Sequence, residues 1–370
     1  SVTGIDSADL TVGRNAGTIF GQATSAVSAA ASTSGSLAGE PTVSEATAEQ
    51  TATGVLSTTT TIGGDGNLTA LSTLNGTATA SNVGDTTAKN DNAIAGLTLK
   101  GTGIDNGNAA DATVISGSGN VLGQALTNGG ATAQTVNGDA TGTASVTSTG
   151  LDLVNVGSDI TIGRSGNVTG LAVTGALTGS TLSDQVDLVA TSTNGVASAT
   201  GTFNTAGILG DAGNSTTGTL ITAGPNDGSI TGSAYGGAKV IASTIGDGSG
   251  DSATTLINPT SIVGIQNVDL IGGQVGTNNI VGTGFGKFDT AATSVAGAAT
   301  GTSSVNVNGI LGVPGDNFIT TSGNVNAQAT LANTVTASSV AGAATATATS
   351  NAVGLSGYNV TILSLIHISE

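Results

Sequence analysis

An aliphatic residue, a Gly-centred turn, a second aliphatic residue and then Gly or Ala return in that order seven times along this 370-residue chain, about fifty residues apart. The copies begin at Val12 (VGRNAGTIFGQA), Ile62 (IGGDGNLTAL), Ile115 (ISGSGNVLGQA), Ile162 (IGRSGNVTGLA), Ile221 (ITAGPNDGSITGSA), Ile271 (IGGQVGTNNIVG) and Ile319 (ITTSGNVNAQA). Self-similarity at such a period is the mark of stacked architectures, in which each unit buries its apolar face only against its neighbours. A second phrase marks the seam between units: small residues in alternation, a hydrophobic residue, then Gly followed by an aliphatic. It is clearest in ATGTASVTSTGLD, ending at Asp152, and in ATGTSSVNVNGIL, ending at Leu311. The seam glycines are Gly4, Gly54, Gly103, Gly150, Gly207, Gly264, Gly309 and Gly354, at spacings of 50, 49, 47, 57, 57, 45 and 45. The pattern predicts one elongated array over residues 1–362, with units starting near 4, 54, 103, 150, 207, 264 and 309.

The local signal inside a unit is strand, turn, strand. Ile160-Thr161-Ile162, a Gly/Asn bend and Val168-Thr169-Gly170-Leu171 alternate at period two, and Gly and Asn tolerate the backbone of tight corners. A core filled by aromatics is ruled out by 5 Phe, 2 Tyr and no Trp, because aromatics supply most of the volume of a conventional core. We therefore expect an all-β fold, a β-solenoid (β-helix) of about seven degenerate repeats of 45–57 residues. Common solenoid repeat lengths suggest two or three rungs of ~17–25 residues per unit, hence a rod of about 70–100 Å at ~4.8 Å per rung. An antiparallel sandwich array, one small domain per unit, is the alternative, and disorder of the Gly/Ser/Thr-rich chain is opposed by a mean hydropathy of +0.25 and by recurrent β-branched residues. The best helical candidate is Val43 to Gln50, carrying Glu45 and Glu49 in an excursion from the first unit that also holds Glu40.

Charge excludes several partners. With 23 acidic and 6 basic residues, a net charge of −17, and Arg14, Lys89, Lys100, Arg164, Lys239 and Lys287 scattered singly, no phosphate-binding cluster exists, so neither nucleic acid nor an anionic membrane surface is an expected partner. No apolar run approaches the ~20 residues of a membrane span, so no membrane insertion is expected either. Absence of Cys removes disulfides and thiolate chemistry together. The terminal octapeptide LSLIHISE, residues 363–370, breaks the composition and holds the one histidine, His367. It resembles translated sequencing-adapter read-through, is set aside as a non-native tail, and implies that the natural chain continues differently.

Candidate sites are few. Gly63-Gly64-Asp65-Gly66-Asn67-Leu68 resembles part of the Gly/Asp-rich nonapeptide of calcium-binding β-rolls, which makes Asp65 a candidate calcium ligand. Asp247 and Asp251 are further candidates in a Gly-rich stretch, and Asp105 and Asp111 lie in similar surroundings. Each also suits the competing role of serving its own turn. No cofactor other than calcium is expected. The stretch Gly282 to Lys287 has Val281 where a phosphate loop needs its first Gly and Phe288 where it needs Ser or Thr; a Gly-rich corner is the expected reading. Without a general base or a nucleophile elbow, no catalytic residue is assigned and an enzyme is not expected. Sequons at Asn67, Asn75, Asn167, Asn214 and Asn359 are those a chain rich in Asn and Thr produces by chance.

In texture, residues 1–362 resemble the repetitive Gly/Ala/Thr/Asn-rich β-solenoid proteins of bacterial surfaces and filaments, marine and environmental bacteria and picocyanobacteria among them. The resemblance implies an extracellular or cell-surface location and a non-enzymatic structural role, with copies of the chain joined head to tail as the main partner and glycans or a cell-surface component as a candidate one. A surface adhesin, a phage tail-fibre shaft and an ice-binding solenoid are the alternatives. Ice binding asks for aligned Thr-x-Thr ranks, present at Thr59-Thr60-Thr61, Thr141-Gly142-Thr143 and Thr345 to Thr349, and the unequal repeat lengths are expected to spoil a long rank. A polysaccharide-active enzyme using paired carboxylates is the remaining expectation.

Overall fold

The computed structural model describes residues 1–13, 17–34, 41–83, 91–106, 112–154, 158–179, 181–211, 218–248, 250–273 and 278–363. The chain winds as a parallel β-solenoid, and each fifty-residue unit is one complete turn. In the third turn a long strand, β5 (Asn92–Asp105), is followed by a short one, β6 (Ala112–Ile115), and by a long return strand, β7 (Val121–Asn137). These define the long, short and return sides of every turn. In the first two turns the long and short sides are continuous: β1 (Val2–Val12) with return strand β2 (Thr18–Ser34), then β3 (Val43–Ile62) with β4 (Asn67–Val83). The fourth turn comprises β8 (Ala140–Leu153), β9 (Asp159–Ile162), β10 (Val168–Thr174), a hairpin of β11 (Ala176–Thr178) and β12 (Thr181–Asp184), and β13 (Val186–Asn194). The fifth holds β14 (Val196–Gly210), β15 (Thr219–Thr222) and β16 (Ile230–Thr244), and the sixth β17 (Ser252–Gln266), β18 (Val268–Ile271) and β19 (Asn279–Ser294). The seventh is β20 (Ala299–Leu311), β21 (Asn317–Thr321) and β22 (Asn324–Ser339), and an eighth begins with β23 (Ala344–Ser356) and β24 (Tyr358–Ile362).

Every stacking pair is parallel, and the partners lie one unit apart: Ala93 beside Ala140, Ala197 beside Ala253, Ala299 beside Ala344. The expected two or three rungs per unit are therefore corrected to one, and the rod to about 35–40 Å at ~4.8 Å per layer. Most long- and return-side strands run to 13–20 residues against the usual 5–6, so a unit is consumed in a single circuit. The helix expected at Val43 to Gln50 is likewise the start of strand β3. Ser44, Ala46 and Ala48 point inward and are buried while Glu45 and Glu49 stay outside, so period two prevails over the i, i+4 spacing of the glutamates. Glu40 lies outside the described residues.

The seam glycines face a second rank of small residues. A Cβ on Gly207 would stand 2.4 Å from the backbone nitrogen of Ser233 on the return side and 2.5 Å from the carbonyl oxygen of Gly264 in the next turn. From the other direction, a Cβ on Gly170 would stand 2.1 Å from the carbonyl of Gly207, and one on Gly232 2.3 Å from that of Gly264. The two sheets thus touch backbone to backbone along a waist that only glycine, or an occasional Ala such as Ala70, fits. The waist splits the interior in two. On one side lies an Ala-rich core with Leu97, Leu99, Phe203 and Phe288 at its widest points; on the other, an Ile-rich core runs from Ile62 through Ile115, Ile162 and Ile221 to Ile319. Burying each of these aliphatics contributes roughly 1.5–3 kcal/mol, which is how a chain without tryptophan holds together.

Length differences between units do not disturb the columns. Gly175 to Gln185, which include the hairpin, stand in place of one residue, Asn128 in the turn before and Gly237 in the turn after. The excursion lies on the outer surface, with Leu182 over Gly237 and Gln185 Nε2 donating to the carbonyls of Ala238 (3.3 Å) and Lys287 (2.9 Å). Pro259, which lacks an N–H, causes the one-residue shift between Ile257 and Thr260; Thr260 Oγ1 there accepts from Phe203 N at 3.3 Å, a substitute for the missing ladder partner.

Candidate functional site

The corners are tied by side chains that bridge neighbouring turns. Where the short side meets the return side, Asn67 Oδ1 accepts from Asn120 N (2.9 Å), Asn120 Oδ1 from Asn167 N (3.0 Å) and Asn167 Oδ1 from Ser229 N (2.9 Å). Asp65 belongs to this corner, its Oδ1 accepting from Ser118 N at 2.6 Å. It lines a shallow groove of about 470 Å³ with Asn67, Asn120, Asn167 and Asp227. The recurrent Gly-Asn of the first phrase is therefore an amide ladder, and the carboxylate of Asp65 caps a backbone N–H. Asn67 and Asn167, both in sequons, are ladder members, and Asn214 lies outside the described residues.

The corner from return to long side brings Asp247 and Asp251 together, as their spacing suggests, and adds Asp139, which the sequence did not flag. The three line a depression of about 460 Å³ with Asn137 and Asn194. Asp251 is buried, and its Oδ2 accepts from Gly248 N at 3.2 Å; Asp139 Oδ1 accepts from Val196 N at 3.0 Å. Asp65 sits at a different corner. Among the described residues no group of three or more His, Asp or Glu side chains is close enough to hold a metal ion. Asp105 ends a strand instead of lying in a loop, and Asp111 is outside the described residues. Gly282 to Lys287 is not the expected corner but the interior of β19, where Gly282 forms part of the waist and Gly284 and Gly286 face Val307.

Asp105 and Asp152 are register partners on the outer face just past the waist. Burial raises the Asp105 carboxyl above its usual range, opposed by the charge of Lys100. Asp152 is raised by burial and then by the charge of Asp105, opposed by Lys100 and the backbone N–H of Val154. Asp269 is raised by burial despite hydrogen bonds from Phe318 N (3.1 Å) and Asn317 Nδ2 (3.2 Å). A raised carboxyl binds its proton more tightly in the folded than in the unfolded chain, so stability falls as pH climbs from the ordinary carboxylate range through the raised values. Thermal melts are expected to show a higher Tm at about pH 5 than at about pH 8. Asp152→Asn is expected to raise the Tm at neutral pH and to flatten this dependence; an unchanged profile would remove the pair as its source.

The first and last described turns carry strand edges without a partner among the described residues. At the start, β1, β2 and the Val43–Thr51 part of β3 each have one edge with no strand partner among the described residues, and at the finish β22, β23 and β24 do. Inward-facing positions are left bare there: Ala299 is fully buried, whereas Ala344, stacked on it, is exposed, and Ile362 is 61% exposed. Tyr358 straps the last turn down by reaching past Gly312 to Val268, its hydroxyl donating to the Val268 carbonyl at 2.8 Å.

The fold and its surfaces define the protein as an all-β repeat protein of parallel solenoid type. Comparison with protein-family models, with curated proteins and with solved structures finds no match to the chain.

Proposed function

We propose that this protein is a non-enzymatic structural element, working outside the cell or on its surface, whose copies stack end to end into a filament or layer. The observation that supports this reading is the continuous parallel stacking itself, in which every described turn offers its neighbour a full strand edge and a matching row of small inward-facing side chains. Such edges are templates for further strands, and natural solenoids ordinarily cover them. A contact between unlike ends is heterologous and propagates.

Electron microscopy of the purified native protein tests the reading. Filaments are expected whose subunits each contribute stacked layers at ~4.8 Å, the seven to eight described turns accounting for about 35–40 Å of the axial repeat. The double variant A344K/A348K places two charges on the bare inward row of β23 and is expected to abolish filaments while leaving the melting temperature of the single rod unchanged. Discrete rods from the native chain at all concentrations would overturn the proposal and favour an adhesin or fibre shaft.

A further inference from the structure

The unequal repeat lengths were expected to break any long Thr rank, and the columns of the long side overturn that expectation, because the extra residues leave at the corners and the hairpin. One outward column runs Thr141, Ser198, Thr254, Thr300, Thr345 over turns four to eight. The column two residues further on holds Thr143, Thr200, Thr302 and Thr347, with Leu256 in the sixth turn. All are half-buried or exposed. Among the described residues none of these nine hydroxyls has a hydrogen-bond partner within the chain, whereas Thr202, in the next column, accepts from Asn258 at 3.1 Å.

The face is also stripped of charge. In a chain of net charge −17, strands β14, β17, β20 and β23 contain no Asp, Glu, Lys or Arg, and the one charged residue of β8, Asp152, lies beyond the waist. Beyond the array, Thr141 is followed down its column by the apolar Ile94 and only then by Glu45. Solvated sheet faces ordinarily carry charges of both signs, so a face that excludes them over five turns calls for a partner that is itself uncharged. A nucleic acid needs cations, and a sugar platform usually offers aromatic rings; this face has neither. A second copy is disfavoured by area: five strands and two columns make on the order of 300 Å², short of the ~800 Å² per partner of a stable interface.

We propose that this face binds ice. Its hydroxyls repeat at about 4.8 Å across strands and about 6.7 Å along them, close to the two oxygen repeats of the ice prism face. A parallel sheet holds both spacings with little conformational entropy left to lose. The threonine methyls between the hydroxyls hold off loosely bound water, so that the water next to the face is organised by the hydroxyl lattice. Each contact is weak, and the array adds them. This surface lies on the side of the rod and does not depend on the end-to-end reading.

Nanolitre osmometry on the native protein, with A344K/A348K in parallel to exclude an effect of filaments, tests the inference. A gap between melting and freezing, faceted crystals and enrichment of the protein in slowly grown ice are expected for both. T200K/T302K, which places two charges in the middle of the array, is expected to lose all three. T132K, on the exposed outer face of the return side, keeps them. T200V/T302V preserves shape and strand propensity while deleting two hydroxyls, and covers the case in which the lysine variant fails to fold; it is expected to lose most of the gap. The inference is overturned if the folded native chain neither shapes nor enters ice, if T132K loses as much as T200K/T302K, or if sedimentation shows a dimer that T200K/T302K dissolves, which would make a second copy the occupant.

Discussion

Gly207→Val is expected to prevent the chain from completing its fold, giving insoluble protein or a melting temperature far below that of the native chain. Its Cβ would lie 2.4 Å from Ser233 N and 2.5 Å from the Gly264 carbonyl. Overpacking a core costs about 1–3 kcal/mol when side chains can yield. Here both obstructing atoms are backbone atoms, one across the waist in the return-side sheet and one in the neighbouring strand of the same sheet, so relief requires the sheets to part along the waist and the adjoining turn to shift, and both cores on either side lose contacts. The cost therefore exceeds that range and becomes comparable with the ~5–15 kcal/mol by which domains are stable at all. Gly250→Ala is the control, since a Cβ there meets nothing within 4 Å, and its melt should match the native one. A Gly207→Val protein that melts normally would mean that the waist does not hold the sheets at this distance.

The second large effect is expected at Phe203. It and Phe288 are fully buried, with ring centroids 6.1 Å apart. Room for the rings comes from glycines: a Cβ on Gly201 would lie 2.4 Å from the Phe203 ring, and one on Gly286 3.2 Å from that of Phe288. Phe203→Ala leaves a cavity that these glycines have no side chain to refill, in a ladder that cannot collapse without breaking register. A loss of about 3–5 kcal/mol follows, the range for truncating a buried phenylalanine. Urea denaturation would show a lower midpoint with an unchanged slope. Phe203→Leu should recover much of the loss, and equal damage from both substitutions would point to strain instead of a cavity.

The two recurring phrases already contain both halves of the waist: the Gly or Ala that closes the first phrase, as in Gly123 or Gly170, and the seam glycine of the second. Their order is legible in sequence, but their meeting across the core is not, because facing residues are some twenty positions apart and no local pattern links them. The number of rungs per unit is hidden in the sequence for a related reason. Alternating Ala and Thr, as in Ala344 to Thr349, carries a strand forward with no break that would mark its end. Asp247 and Asp251 could be grouped because they are neighbours in the chain, whereas Asp139 joins them through stacking of separate turns. The Thr array is not legible in the sequence because Thr143, Thr200 and Thr302 are separated by unequal stretches, and only the register shows that the differences are absorbed elsewhere.

The excursion at Gly175 to Gln185 enters and leaves the return side at neighbouring positions, and the strands before and after it, β10 and β13, both remain paired with β7 and β16. The rod thus already carries a guest in the middle of a wall, at a point where host geometry does not depend on what is carried. A longer loop, a peptide epitope or a whole small domain with closely spaced termini grafted at the hairpin tip would be displayed on the flank, away from both the threonine face and the stacking ends, and in a filament it would recur once per subunit.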